Sequence, residues 1–356
     1  MLLAKSEILE QSSVKRPARG PRDLRIETRT IAPHSPESCR LRSRPRATLP
    51  SSAMGMFTFL SPLSIGHESA RLVVGIGEQG EGFRLGDLVA IGVGVTCDCC
   101  RSCQRGRYNL CPKMRFRSSG KTVPHFQGTL QDRINHPARQ CHGRWPWPST
   151  EQGDTAIIFG AGTVGLLTAA MAKLTGATTV VIADINVGRV KFALDHGFAT
   201  SGYVVTNSSS TAKEDRIHAA ARQLANDVVA IACADELNAE GGEVTFECTG
   251  KEVYMQVGLY ATRPGGKLIM VGMGTPVRTL QMSAAQWKKV DILGVFRYAD
   301  RYPVGLKIDS SGLLPNLDAM ITHRVQGSQA ARDAFELAAR AADDDGNLVL
   351  KVLMEN

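Results

Sequence analysis

Apolar and polar positions change rhythm twice along this chain of 356 residues. Residues 1–60 are atypical, and Arg40 to Ser52, rich in Arg, Pro and Ser, has neither the two-residue alternation of a strand nor the recurrence of a helix and reads as loop or disorder. Between Ile65 and Val95 short apolar runs are broken by glycines. Leu72 to Gly77 predicts one strand, and Gly86-Asp87 predicts a turn into the next. Such spacing predicts an all-β subdomain, followed by a linker at Trp145-Pro146-Trp147-Pro148. From Asp154 strands and helices alternate. Strands are predicted at 155–159, 178–183, 244–246, 267–271 and 292–296, and helices at 164–174 and 187–196. That order predicts a doubly wound parallel sheet. The tail predicts an amphipathic helix over 330–342 and a strand over 347–353. No internal repeat is present.

Composition changes little in this picture. Hydrophobic residues make up 43% and charged residues 21%, ordinary for a globular protein long enough for two domains. There is no apolar run of about 18 residues, so no membrane span is expected. Lys5, Glu7 and Glu10 break up any secretory leader, and the two acids also argue against a mitochondrial presequence. A cytoplasmic protein is expected. The net charge of +8 invites a nucleic-acid reading. However, residues 1–50 hold eleven basic and five acidic side chains, leaving only +2 for the rest. A nucleic-acid footprint needs a basic face on a folded element, whereas this excess sits in an unpatterned arm. No nucleic-acid partner is expected.

Two clusters carry chemistry. Gly160-Ala161-Gly162-Thr163-Val164-Gly165 follows one predicted strand and opens a helix, and the next strand ends in Asp184. In that context G-x-G-x-x-G cradles a dinucleotide pyrophosphate on free helix N–H groups. Asp184 stands 19 residues after Gly165. There a carboxylate accepts from a ribose 2′-hydroxyl and repels a 2′-phosphate, favouring NAD over NADP. A flavin site or a vestigial glycine turn is the alternative. The second cluster, Cys97-x2-Cys100-x2-Cys103-x7-Cys111, holds four of the nine cysteines at metal-ligand spacing, with Cys99 as a competing thiol. Four thiolates around Zn²⁺ make a closed, structural site. An iron–sulfur cluster and free or redox thiols are the alternatives.

Together these motifs resemble the zinc-containing medium-chain alcohol and polyol dehydrogenases, the sorbitol, xylitol and L-arabinitol branch above all. The matching stretches are Gly66-His67-Glu68-Ser69-Ala70, Gly86-Asp87, Cys97 to Pro112, Gly128-Thr129-Leu130 and Phe159 to Leu167. They continue with Phe246-Glu247-Cys248-Thr249-Gly250, Val271 to Gly274 and Val295 to Tyr298. The resemblance implies a Rossmann domain over 153–300. It also implies a partly truncated GroES-like catalytic domain over 60–150 and 301–356, with a zinc lobe at 97–111. Residues 1–59 stand outside the pattern.

For the site, the resemblance implies NAD contacts from Gly160, Gly162, Val164, Gly165, Asp184, Arg189 and Thr249. Val271, Gly272, Met273, Gly274 and Phe296 would lie beside the nicotinamide. Arg297 and Tyr298 would face a polyol, and His67 and Glu68 would stand at a catalytic zinc acting as Lewis acid on the substrate hydroxyl. A homo-oligomer is also implied.

Two departures bear on that chemistry. The family's catalytic cysteine motif is missing near Arg42, where Cys39 is the nearest thiol and is followed by Arg40. The family's interdomain segment, with a second acidic zinc partner, is missing where Pro148-Ser149-Thr150 runs directly into Glu151. Residues 36–59 therefore read as a displaced reading frame or a mis-spliced gene. Catalytic zinc binding is expected to be weak or absent, which leaves two readings: a polyol or alcohol dehydrogenase, intact or impaired, or a non-catalytic NAD-binding protein with a structural zinc. A third, a zinc-lobed nucleic-acid binder, is disfavoured because Tyr108 is the lobe's sole aromatic residue.

Overall fold

The computed structural model describes residues 23–31, 64, 66–76, 83–85, 87–119, 124–129, 131, 133–137, 153–206, 214–234, 240–299, 301–326 and 331–355. The features read at Arg42, at 36–59 outside this set, and at the Pro148–Glu151 junction lie beyond the described residues. The chain divides into two compact units. One comprises Met1–Trp145, Arg297–Lys307 and Ile321–Asn356, and the other Pro146–Phe296 and Ile308–Met320.

The first unit opens with β1 (Asp23–Ile31), β2 (Ser69–Ile76) and β3 (Leu88–Ala90). A small ribbon, β4 (Gly94–Val95) with β5 (Arg115–Phe116), brackets helix α1 (Arg101–Gln104), and β6 (Arg133–Pro137) follows. The strand β1 was not read from the sequence. Its Leu24, Ile26, Thr28 and Thr30 alternate with Arg25, Glu27 and Arg29, a period-two signal that the surrounding basic text obscures. It pairs antiparallel with both β2 and β6.

The second unit carries β7 (Thr155–Phe159), α2 (Thr163–Leu174), β8 (Thr179–Asp184), α3 (Val187–Asp195) and β9 (Ser201–Val204). It continues with α4 (Glu214–Ala232), β10 (Gly242–Glu247), α5 (Glu252–Ala261), β11 (Thr262–Met270), α6 (Met282–Lys288) and β12 (Asp291–Gly294). All six strands run parallel in the order β12-β11-β10-β7-β8-β9. The doubly wound sheet expected from the alternating pattern is present. The order reverses between β7 and β10, and a ligand crevice opens at such a switch point. Every residue of β7 is buried, so its sequence is an unbroken apolar run rather than an alternation. The helix α4, missed in the sequence, packs Ala221, Ala225 and Val228 into the core with Ile157, Phe159 and Val181. Its small alanines blur the periodic apolar signal that longer side chains would give.

The chain returns to the first unit through α7 (Tyr302–Ser310), β13 (Ile321–Gln326), α8 (Ala331–Ala338) and β14 (Lys351–Glu355). Strand β14 inserts between β13 and β1, so the sheet reads β13-β14-β1-β2-β3 with β6 on β1. The terminal helix stops before the predicted 342. The Asp343 carboxylate accepts from the Asp345 and Asn347 N–H groups instead, a local turn that competes with helix.

One buried polar group needs its own account. His136 is fully buried, and its Nδ1 accepts from Arg117 Nε at 3.2 Å. Arg117 offers donors only, so Nδ1 must be bare and Nε2 carries the proton toward Gly92 O at 3.0 Å. Arg117 also donates to Gln127 O and Asn135 O and lies over the Phe126 ring. Burial, and then the Arg117 charge, push the His136 pKa down to about 3.

Candidate active site and zinc lobe

The dinucleotide turn is built where β7 ends. Gly160 stands at φ +100°, a conformation L side chains avoid, and donates to Ala183 O at 2.7 Å. Gly162 caps α2 without a side chain of its own to bond the first-turn N–H groups, the kind of helix start that takes a ligand oxygen. A Cβ at Gly165 would stand 1.7 Å from Gly160 O, so only glycine lets the helix begin so close to the turn. Val164 is exposed on the first turn of α2.

Asp184, at the end of β8, accepts from Ala161 N at 2.7 Å and from Asn186 N at 2.8 Å. Its carboxylate thus touches the glycine turn and still keeps lone pairs for ribose hydroxyls. Arg189 lies on the first turn of α3, its N–H held by Asn186 Oδ1.

On the other side of the switch point the buried Glu247 organises two loops. Its carboxylate accepts from Thr249 N, Thr249 Oγ1 and Gly250 N, while its carbonyl accepts from Val271 N and Gly272 N. Burial pushes its pKa up, opposed by those donors and by Arg278. The loop Val271 to Gly274 is thereby fixed against Gly250, with Met273 exposed. Phe296, just past β12, is also exposed.

In the first unit, Arg297, Tyr298 and Tyr302 share a small cavity of about 20 Å³ with Gly92, Gly94, Tyr108, Met114 and Phe116. Arg297 adopts φ +59° and lays its guanidinium 4.5 Å over the Phe116 ring, with Nη1 2.6 Å from Met114 Sδ. The His67 ring stands 6.1 Å from Phe116. Glu68 is paired with Lys351 of β14 and lies close enough to Tyr298 to influence it electrostatically.

The cysteine lobe is the other concentration of ligands. Among the described residues, Cys97, Cys100, Cys103 and Cys111 form the one group of three or more metal-ligating side chains, their Sγ atoms all within 4.8 Å of one another. The separations of 3.5 Å for Cys100–Cys103 and 3.6 Å for Cys97–Cys111 approach the ~3.8 Å edge of a ZnS₄ tetrahedron. Backbone N–H groups of Cys99 and Cys100 hold the Cys97 thiol at about 6, whereas burial pushes Cys103 to about 12. Cys99 is exposed and outside the four.

The profile of the zinc-binding dehydrogenases matches residues 163–308, and that of the alcohol dehydrogenase GroES-like domain matches residues 46–146. A sorbitol dehydrogenase from Mus musculus is 31% identical over 349 residues, covering 90% of this chain and 91% of its own length. An L-idonate 5-dehydrogenase from Vitis vinifera is 30% identical, covering 81% and 79%. The chain belongs to the zinc-binding polyol and alcohol dehydrogenases. Among solved structures, an Escherichia coli oxidoreductase/dehydrogenase of unknown specificity superposes with a TM-score of 0.72 at 26% identity, covering 96% of this chain and 94% of that one. Among the described residues no helix is long and apolar enough to cross a membrane.

In this dehydrogenase the four-cysteine lobe suits zinc in donor type, number and spacing. The His67–Glu68 pair does not form a comparable site. Among the described residues no third ligand joins it, and Lys351 already engages the carboxylate. Glu247, Tyr302, Phe116, Met114 and Lys351 were not singled out from the sequence. Lys351 did leave a trace, as a lone charge within the apolar run Leu348 to Leu353.

Proposed function

We propose that this dehydrogenase oxidises a polyol or secondary alcohol to the ketose or ketone, with NAD as hydride acceptor. The observation that carries the reading is the cluster in which a guanidinium and two phenols, Arg297, Tyr298 and Tyr302, stand beside apolar Met114 and Phe116, around a void of about 20 Å³ that widens for a polyol only when Arg297 moves. Several hydroxyls need several polar partners, and the apolar wall excludes water from the carbon that reacts. Arg297 would donate to substrate oxygens once it leaves the Phe116 face. Bound NAD would accept the hydride from the carbinol carbon. The α2 N-terminus would hold the pyrophosphate, Asp184 the adenosine ribose, and the Val271–Gly274 loop the nicotinamide. Exposed Trp287, Leu293 and Val295 around the edge strand β12 support a homo-oligomer.

The Glu68–Lys351 pair favours a second reading, an NAD-binding protein without turnover that keeps the structural zinc. NADH formation with sorbitol, xylitol and L-arabinitol, measured beside NADH binding, separates the two. Binding without turnover on any of these alcohols selects the second.

The cofactor assignment has its own test. Asp184→Ser is expected to weaken NADH by about 10- to 100-fold, the loss of charged hydrogen bonds to ribose hydroxyls and to the turn. NADPH should be affected far less, because the repulsion goes with the carboxylate. Titration of both cofactors checks this, and equal losses would count against the ribose role.

A further inference from the structure

Tyr302 heads α7 four residues after Tyr298, and the two rings meet edge to face with centroids 5.3 Å apart. The Tyr302 hydroxyl lies 2.8 Å from Ile91 O and 3.4 Å from Tyr298 Oη. A phenol has one proton, and a carbonyl can only accept it. The shorter contact therefore takes the proton, and Tyr302 turns lone pairs alone toward Tyr298. The Val93 backbone lies near Tyr298 and slightly opposes the effect of burial on its pKa. Burial lifts the Tyr298 pKa above its ordinary value, so this phenol keeps its proton at neutral pH. That proton has a ready acceptor in Tyr302, which leaves Tyr298 lone pairs for a ligand.

We infer that Tyr302 is a positioning residue which, anchored on Ile91 O, fixes the hydroxyl of Tyr298 so that Tyr298 meets the substrate as a hydrogen-bond acceptor. This rests on the reading of the cavity as a polyol site. It adds a selectivity rule that the cavity walls alone do not give. The substrate position facing Tyr298 must carry an O–H donor. A group that can only accept, such as fluorine, would face a lone pair and be rejected.

The test is equilibrium binding by calorimetry to the full chain with saturating NADH, using sorbitol, xylitol and the monodeoxyfluoro sorbitols. The wild-type protein is expected to bind one fluoro analogue about tenfold more weakly than sorbitol, the scale of one lost hydrogen bond and one repulsive contact. Tyr302→Phe is expected to bind sorbitol about tenfold more weakly and to discriminate no longer against that analogue, because Tyr298 can then turn and donate. A residue that merely fills space would weaken both ligands alike.

Full discrimination retained in Tyr302→Phe overturns the inference and leaves the polyol site standing. Discrimination retained in Tyr298→Phe overturns the inference alone, whereas a wild-type protein that binds neither sorbitol nor xylitol overturns the polyol reading and the inference with it. NADH binding and the thermal midpoint report whether the variant folds. If it does not, the wild-type panel still counts against the inference when every fluoro analogue binds as tightly as sorbitol, since no position would then demand an O–H donor.

Discussion

Metal analysis of the purified chain is expected to return one zinc ion per chain, and removing that ion is expected to collapse residues 97–111. The lobe has almost nothing else to hold it. Helix α1 buries none of its residues, the neighbouring turn Tyr108–Leu110 buries only Asn109, and Leu110 faces solvent. Structural zinc contributes on the order of 10 kcal/mol or more to small folds of this kind. No apolar cluster here offers a comparable sum. Chelation at neutral pH, or Cys111→Ser, should open the lobe to proteolysis while NADH binding persists, because β7 to β12 make their own core. Limited digestion followed by mass analysis would locate the first cut. Two ions per chain would mean that a further ligand completes His67 and Glu68, and the one-zinc expectation would then be wrong.

The second large effect is on acid stability. His136 has a folded pKa of about 3 against an unfolded value of about 6.5. Above that unfolded value both states are neutral, and the histidine adds no pH dependence. As the pH falls below it, the unfolded chain takes up a proton that the folded chain refuses. Stability should then drop by about 1.4 kcal/mol per pH unit, until the folded histidine protonates near pH 3. The cumulative loss is on the order of 4 kcal/mol, a large share of the ~5–15 kcal/mol that stabilises a typical domain. His136→Gln can still accept from Arg117 and donate to Gly92 O, and it has no proton to gain. Its urea midpoint should therefore vary less steeply between pH 6 and 4 than that of the wild type. Parallel slopes would assign the acid sensitivity elsewhere.

How much was legible in the sequence depends on how local each signal is. Strands β7 and β8 were readable because burial on both faces leaves nearly uninterrupted apolar runs, and β11 because Leu268 to Met270 ends it in a short one. The glycine turn and the cysteine lobe were readable because their geometry is set by spacing within a few residues. The strand β1 was not, since its alternation is short and lies in basic, proline-rich text. Tyr302, Lys351 and Glu247 acquire meaning only from what folding brings to them: Ile91 O, the Glu68 carboxylate and the Gly250 N–H. No periodicity marks such partners. His136 is of the same kind, a polar residue in a strand whose burial is tolerable only because Arg117 arrives from elsewhere in the chain.

The pairing of β1 with β14 has a consequence for how the molecule is made. Thr30 and Met354 are neighbours in the sheet yet stand 324 positions apart in the chain. During synthesis the earlier strand leaves the ribosome long before its partner exists, and all of β7 to β12 emerges in the interval. Only Thr30 and Ile31 of β1 wait for β14, whereas Leu24 to Thr30 can pair with β2 and Asp23 to Glu27 with β6 far earlier. That short end of the β1 edge is therefore exposed long after the rest of the strand has its partners, an interval in which a chaperone or a neighbouring nascent chain can reach it.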